Sequence, residues 1–302
     1  MKYALVNGEE AEATKGAKGI CRHCGSELIA KCGEIKINHW AHKGKRHCDP
    51  WWENETEWHR SWKNQFPAAW QEVRHEAEDG EVHIADVKTE SGWVIEFQHS
   101  FLNPEERRKR NAFYRKIVWV VDGLRRSTDI KQFQKMLDES RLVYKAPLIL
   151  QVRFPEDCRL LREWHDESAF VFIDFKEVQA SEQVPLWFLF LKVEDSGTYI
   201  GQFSRTEFIK LLSNNNEFGE LLKNIIKSIH EILVKNERTI RSQRQNQLKQ
   251  QALYSQALRY RSSRQPRSYR RKSSASKQWI NKRQKPRRSK QRTSKRRGRG
   301  RF

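Results

Sequence analysis

Residues 83–100 read HIADVKTESGWVIEFQHS, two short apolar stretches around a TESG turn. Alternating Val, Ile and Phe on either side of a Gly-bearing turn predict a β-hairpin. Its chemistry restricts the folds that can hold it. Asp86, Glu96 and Gln98 stand among Ile84, Val87, Val94, Ile95 and Phe97. A carboxylate among apolar neighbours is costly unless it is paired or holds a metal. Residues two apart in a strand share a face, so Asp86 goes with Ile84 and Lys88, and Glu96 with Val94 and Gln98. If the chain turns at TESG, Asp86 and the Glu96/Gln98 pair converge on one side. Two carboxylates aimed at one point repel, and a divalent cation removes that penalty. Mg²⁺ or Mn²⁺ held there would lower the pKa of a bound water and stabilise charge on a phosphodiester in an in-line displacement.

The flanking segments predict a mixed α/β order. Residues 51–66 (WWENETEWHRSWKNQF) look helical, and Pro67 ends them. Glu55, His59 and Lys63 are spaced i, i+4, i+8 on one stripe, with Trp58 and Trp62 beside it to dock the helix on a sheet. Glu55 could reach the metal as an extra or water-mediated ligand; His59 and Lys63 could steady a phosphate or the attacking water. The same stripe, taken alone, is an ordinary solvated helix face. Residues 70–78 (WQEVRHEAE) read as a strand before the Gly80 turn. Asn103 caps a helix over 103–116 with Pro104 at its first position, and IVWVVDG (117–123) is a fully buried strand. A helical stretch over 128–140, four strands within 147–203, a Ser204/Glu207 capping box and an amphipathic helix over 218–236, extending toward Tyr260, complete the pattern. Cys158, Trp164 and His165 read as packing or surface residues.

Near the N-terminus, CRHC and HWAHKGKRHC place Cys21, Cys24, His39, His42 and Cys48 close together. CxxC followed some fifteen residues later by a second ligand pair suits one tetrahedral zinc. So short a segment gains from the metal the stability that burial alone does not supply. The preferred ligands are Cys21, Cys24, His39 and His42. Cys48 could replace either histidine, and His23, Cys32 and His47 are weaker candidates. Four protein ligands leave no open position, so this zinc is structural. An odd count of five cysteines, two in a CxxC, argues against a disulfide framework.

Charge divides the chain. Of 59 Lys and Arg, 23 lie in residues 241–302, which hold no acid; residues 1–240 carry 36 basic against 38 acidic residues. The segment from about 261 is Arg/Lys/Ser/Gln-rich and is expected to be disordered. Such a polycation neutralises phosphates with little sequence preference and strong salt dependence. Tyr260, Tyr269, Trp279 and Phe302 are placed to stack on bases. The longest apolar run, VPLWFLFL (184–191), is too short for a bilayer span of ~20 residues, and no apolar signal core opens the chain. A cytoplasmic protein without membrane association is expected.

Taken in order, the E-x-x-x-H-x-x-x-K stripe, a strand ending in ADV and then IEFQ resemble the PD-(D/E)xK nuclease superfamily. HWAH after CxxC, ETEWH, HIADV, IEFQHS, RNAFY and VWVVDG together resemble the competence protein CoiA-like nuclease family over about residues 20–123. The resemblance implies that Asp86 and Glu96 are the metal carboxylates, Glu55 an accessory acid, and Gln98 the occupant of the motif lysine's place. Arg110 and Tyr114 fall where the family places an Arg and a Tyr on the following helix. Glutamine brings a dipole where lysine brings a charge, a deficit that Lys63 or Lys88 could make good.

The expected architecture is an N-terminal zinc module (1–50), a restriction-endonuclease-like α/β mixed-sheet core (51–145), an accessory α+β region (146–240) and a basic helical-to-disordered tail (241–302). The expected function is Mg²⁺-dependent hydrolysis of DNA phosphodiesters, in DNA uptake, recombination or repair. The alternative is a non-catalytic nucleic-acid-binding protein on the same scaffold. A zinc-dependent protein-interaction module is a third reading.

Overall fold

A computed structural model describes residues 1–34, 36–44, 48–51, 55–78, 80–164, 169–177, 184–190, 198–213 and 218–263. The chain divides into two units, residues 1–240 and 241–302.

The N-terminal residues form a curled antiparallel sheet from β1 (Tyr3–Val6), β2 (Glu9–Glu12), β3 (Lys18–Ile20), β4 (Glu27–Lys31) and β5 (His39–His42), in the order β2-β1-β3-β4-β5. Val6 pairs with Glu9 across a two-residue loop, and both loop residues, Asn7 and Gly8, have positive φ (54° and 89°). Asn-Gly tolerates that conformation, and its twist matches the strands. The core of this module is small: Met1, Ala4, Ala13, Cys21, Leu28 and Trp40.

The remaining elements are α1 (Glu57–Lys63), β6 (Gln71–Glu76), β7 (Val82–Lys88), β8 (Val94–Gln98), α2 (Pro104–Tyr114), β9 (Ile117–Asp122), α3 (Ser127–Glu139), β10 (Arg141–Lys145), β11 (Leu148–Val152), α4 (Arg159–Trp164), β12 (Phe170–Asp174), β13 (Leu186–Phe190), β14 (Thr198–Phe203), α5 (Arg205–Ser213) and α6 (Phe218–Ser263). The strands make one mixed sheet of nine, ordered β10-β11-β14-β13-β12-β9-β8-β7-β6. β8, β9 and β12 run parallel; the other neighbours are antiparallel. Parallel β8 and β9 need a crossover, and α2 supplies it. Asn103 caps α2, its side chain accepting from the Glu105 N–H at 2.8 Å. Central β9, IVWVVD, is buried along its whole length, as a strand covered on both faces must be. One apolar cluster beneath α1, α5 and α6 contains Trp58, Trp62, Phe97, Phe172 and Phe208; a second beneath α2, α3 and α4 contains Tyr114, Trp119, Phe133, Leu161 and Trp164.

Three differences from the sequence expectation stand out. The helix expected over 51–66 spans only Glu57–Lys63, because Thr56 caps it, accepting from the His59 N–H at 3.2 Å. Glu55 therefore precedes the helix. Residues 146–240 do not make a sheet of their own: β12 pairs in parallel with β9, so β11–β14 continue the sheet that carries the hairpin. β10 and α4 were not anticipated. As expected from its amphipathic pattern, the last helix continues past Tyr260: α6 runs to Ser263, and its residues 241–261 are exposed. Cys158 and Trp164 are core residues, at 0% and 2% exposure; His165 and the tail from 264, with Tyr269, Trp279 and Phe302, lie outside the described residues. Among the described residues no helix is long and apolar enough to cross a membrane.

α1 is held by one buried carboxylate. Both Trp58 and Trp62 donate their indole N–H to Asp174 Oδ2, at 3.0 and 2.8 Å, and Arg205 donates to Asp174 Oδ1. Trp62 stacks on Phe97 of β8, with ring centroids 5.5 Å apart. A buried acid so satisfied fixes the helix against the sheet.

Candidate metal centre and carboxylate pocket

Cys21, Cys24, His42 and Cys48 come together, their donor atoms all within 4.8 Å of one another. Cys48 Sγ lies 3.3 Å from Cys21 Sγ, 3.2 Å from Cys24 Sγ and 2.9 Å from His42 Nε2. A tetrahedral zinc with bonds of ~2.3 Å to sulfur spaces sulfurs by about 3.8 Å, so the cluster is of the right size and composition. The CxxC turn closes through Gly25 N–H to Cys21 O at 2.9 Å, with Gly25 at φ +71°. The hydrogen bond to Cys48 holds the Cys21 thiol down at about 4, against burial.

His39, expected as a ligand, stands outside this cluster, and Cys48 takes its place in it. Both histidines lie on β5, and residues three apart in a strand face opposite ways. His42, opposite Leu28, turns toward the cysteines; His39, opposite Lys31, has its Nδ1 2.9 Å from Ile37 O. Cys32 Sγ faces Ala13 O, and His23 Nε2 accepts from Arg22 Nε at 3.3 Å. His47 lies outside the described residues.

The hairpin acids sit where β7 and β8 part. The ladder pairs Lys88 with Val94 and Val87 with Ile95, then stops. Beyond it the carboxylates satisfy the backbone: Asp86 N–H donates to Glu96 Oε1 at 3.3 Å, and Phe97 N–H donates to Asp86 Oδ2 at 3.0 Å. Both acids line a cavity of about 80 Å³ together with Glu55, His59, Lys63 and Gln98, room for a few waters at ~30 Å³ each. The six expected site residues thus face one space, drawn from the stretch before α1, from α1 itself and from two strands.

Charge in this pocket is unevenly balanced. His59 Nε2 lies 2.8 Å from Asp86 Oδ1, and Arg110 Nη1 lies 3.3 Å from Glu96 Oε2. Burial opposes the Asp86 carboxylate, but His59, Lys63 and the Phe97 N–H hold its pKa below the ordinary value. Burial and the adjacent Asp86 push Glu96 well above the usual carboxylate range, against Arg110. Burial also raises Tyr114. Glu55 Oε1 and His59 Nε2 are buried without a hydrogen bond of acceptable geometry, although Lys63 Nζ is 3.0 Å from the former.

Lys63 belongs to a tighter network. Its ammonium meets Glu72 Oε1 at 2.8 Å as well as Glu55, and Arg60 Nη2 donates to Glu55 Oε2 at 2.6 Å. Against burial, Lys63 and Arg60 hold Glu55 down to about 2, Lys63 holds Glu72 lower still, and the two acids raise Lys63 above its ordinary value. Lys88 lies 2.9 Å from His75 Nδ1 and does not line the cavity. Gln98 donates to Ser100 O and Oγ at 3.3 and 3.2 Å.

Sequence reasoning missed Asp49 and Glu72, both buried and both lining the pocket. Glu72 has positive φ, 51°, and accepts the Lys2 N–H at 2.6 Å. Asp49 accepts the Ile84 N–H at 2.8 Å. Neither sits in a local pattern that marks it.

Residues 5–50 match the family model for the competence protein CoiA, N-terminal domain. No curated protein and no solved structure matches the chain. The matched span contains the second half of β1, the strands β2–β5 and all four residues of the Cys/His cluster. The likeness to that domain is confined to this module.

Proposed function

We propose that the carboxylate pocket is the active site of a metal-dependent deoxyribonuclease of the PD-(D/E)xK kind, its mixed sheet serving as a restriction-endonuclease-like core. The observation that carries this is the convergence of Asp86 and Glu96 at the point where their strands part. A buried Glu96 whose carboxylate is disfavoured by burial and by the adjacent, half-buried Asp86 makes with it the donor set a hard divalent cation needs. Asp86 and Glu96 would hold Mg²⁺ or Mn²⁺, with Glu55 Oε1 available through water. The ion would supply Lewis acidity and an activated water.

The side chains around that position have distinct tasks. Arg110 holds Glu96 from behind. His59, whose Nε2 lies 2.8 Å from Asp86 Oδ1, is placed to orient the attacking water or a phosphate oxygen. Lys63 keeps Glu55 ionised, and Gln98 offers a dipole toward the developing charge. The basic C-terminal segment would keep DNA close in a salt-dependent way. A competence-related role in DNA uptake, recombination or repair, on the cytoplasmic side, follows from the family of the N-terminal module.

One observation favours the alternative of a non-catalytic nucleic-acid-binding protein: each of the three acids Asp86, Glu96 and Glu55 already faces a basic side chain, His59, Arg110 or Lys63. Incubating the purified protein with plasmid and single-stranded DNA, with Mg²⁺ or Mn²⁺, beside Asp86→Ala, separates the two. Metal-dependent cleavage lost in Asp86→Ala supports the nuclease. No cleavage of either substrate, with DNA still bound, supports the binder.

A further inference from the structure

Between the Cys/His cluster and the carboxylate pocket runs the segment 48–51, and every anchor it makes is on the site's own framework. Cys48 is one of the four clustered donors. The next residue, Asp49, is 8% exposed; its Oδ2 accepts the Ile84 N–H at 2.8 Å, and its Oδ1 lies 3.0 Å from His83 Nδ1 and accepts the Trp51 N–H at 2.8 Å. Ile84 stands two residues before Asp86 on β7. Trp51 stacks flat on His83, 5° from parallel. The Trp51 carbonyl accepts Arg110 Nη2 at 2.9 Å, while Nη1 of the same guanidinium faces Glu96.

We propose that Asp49 is a positioning residue through which metal at the Cys21/Cys24/His42/Cys48 cluster sets the geometry of Asp86 and Glu96. Fixing Cys48 fixes Asp49, which registers β7, and Trp51, which aims Arg110 at Glu96. The inference rests on the metal reading of the cluster; its consequence for cation binding rests on the proposed function. Outer contacts of this kind commonly change metal affinity 10–100-fold.

Amide hydrogen exchange on the full chain, with Zn²⁺ and after a chelator, tests the linkage without reference to catalysis. Stripping the metal is expected to speed exchange in peptides covering 82–88 and 94–98 about ten-fold or more, while β12 and β13 stay protected. Asp49→Ala should show that faster exchange with Zn²⁺ still bound, and chelation should add little; Asp49→Asn, which keeps the shape and loses an acceptor, should fall between. Unchanged β7 exchange on chelation, loss of protection across the whole nine-stranded sheet, or no uptake of Zn²⁺ overturns the proposal. Calorimetry with Mn²⁺ then separates the two readings. Weaker Mn²⁺ binding in Asp49→Ala extends the linkage to the cation; wild-type protein that binds no Mn²⁺ beyond the Cys/His site refutes the nuclease reading and leaves the exchange result standing.

Discussion

The two clusters joined by residues 48–51 are balanced in opposite ways. In the Cys/His cluster the donors face one another: three thiols and an imidazole within 4.8 Å. In the carboxylate pocket each acid also faces a basic side chain of the protein, Asp86 with His59, Glu96 with Arg110, Glu55 with Lys63 and Arg60. A set of thiols and an imidazole with no charged partner among these contacts, only the His23 N–H beside Cys21 and the Ser26 hydroxyl beside Cys24, needs an ion to hold its shape. A set with internal counter-charges holds its shape alone and can take an ion reversibly. The first is thus suited to a structural metal and the second to an exchangeable one.

The largest effect tests the first half of that contrast. Chelation, or Cys48→Ser, should unfold the antiparallel sheet of the N-terminal module, since its six-residue core cannot replace a metal whose binding in small zinc modules is worth ~10–16 kcal/mol. Limited proteolysis with metal analysis reads this: cleavage within residues 1–44 should appear as zinc is lost. A module that stays resistant without metal breaks the comparison.

Next in size is Lys63→Met, which leaves Glu55 and Glu72 buried without their shared ammonium. Stranding one side of a buried pair costs about 3–5 kcal/mol. The pH dependence should invert. In the wild type both carboxyls are depressed, Glu55 to about 2, so their contribution is present above the ordinary carboxylate range, near ~4.3, and is lost as pH falls toward the folded value. In Lys63→Met burial pushes Glu72 upward, while Glu55 keeps Arg60, so lowering the pH should restore stability through Glu72. Thermal midpoints from pH 7 to 4 that fall in parallel for the two proteins would contradict the network described.

Glu96→Gln should act in the other direction and more weakly. Glu96 is raised by burial and by Asp86, so its stabilising contribution is complete below its unfolded pKa and lost as pH rises through the folded one. At neutral pH, without added Mg²⁺ or Mn²⁺, the neutral isostere should gain about 1 kcal/mol, as functional acids often cost stability. That corresponds to a rise of ~2–4 °C in Tm, vanishing near pH 4. A lower Tm at pH 7 would mean that the Arg110 pair outweighs the repulsion.

What the sequence made legible follows from distance along the chain. The hairpin, the Asn103 cap and buried β9 are written in patterns a few residues long. The Ser204 cap, accepting the Glu207 N–H at 3.3 Å, is equally local. The illegible parts join distant residues: Lys2 with Glu72, Trp58 with Asp174, Asp49 with Ile84. No local period announces that Asp174 will satisfy two tryptophans, or that β12 will lie beside β9 and merge the C-terminal strands into the same sheet. β10, RLVYK, is an edge strand with mostly exposed side chains, so the apolar signal that marks a strand is weak there. His39 is a different case. HWAH is a strand, and its parity alone separates the two histidines; spacing was read without the strand period.

That parity yields the smallest effect and a direct check on the ligand set. His39→Ala removes a side chain whose Nδ1 faces Ile37 O on the far side of β5, so zinc content should stay that of the wild type and stability should change by no more than ~0.5 kcal/mol, as for an ordinary surface substitution. His42→Ala removes a donor whose Nε2 lies 2.9 Å from Cys48 Sγ, and should lower zinc retention against a competing chelator by at least ten-fold. The pair carries its own control, because both changes delete the same ring from the same strand. Equal zinc loss in the two variants would restore the Cys21/Cys24/His39/His42 set and place Cys48 outside the metal site, and the mechanical path from that site to Asp49 would then have no metal ligand at its start.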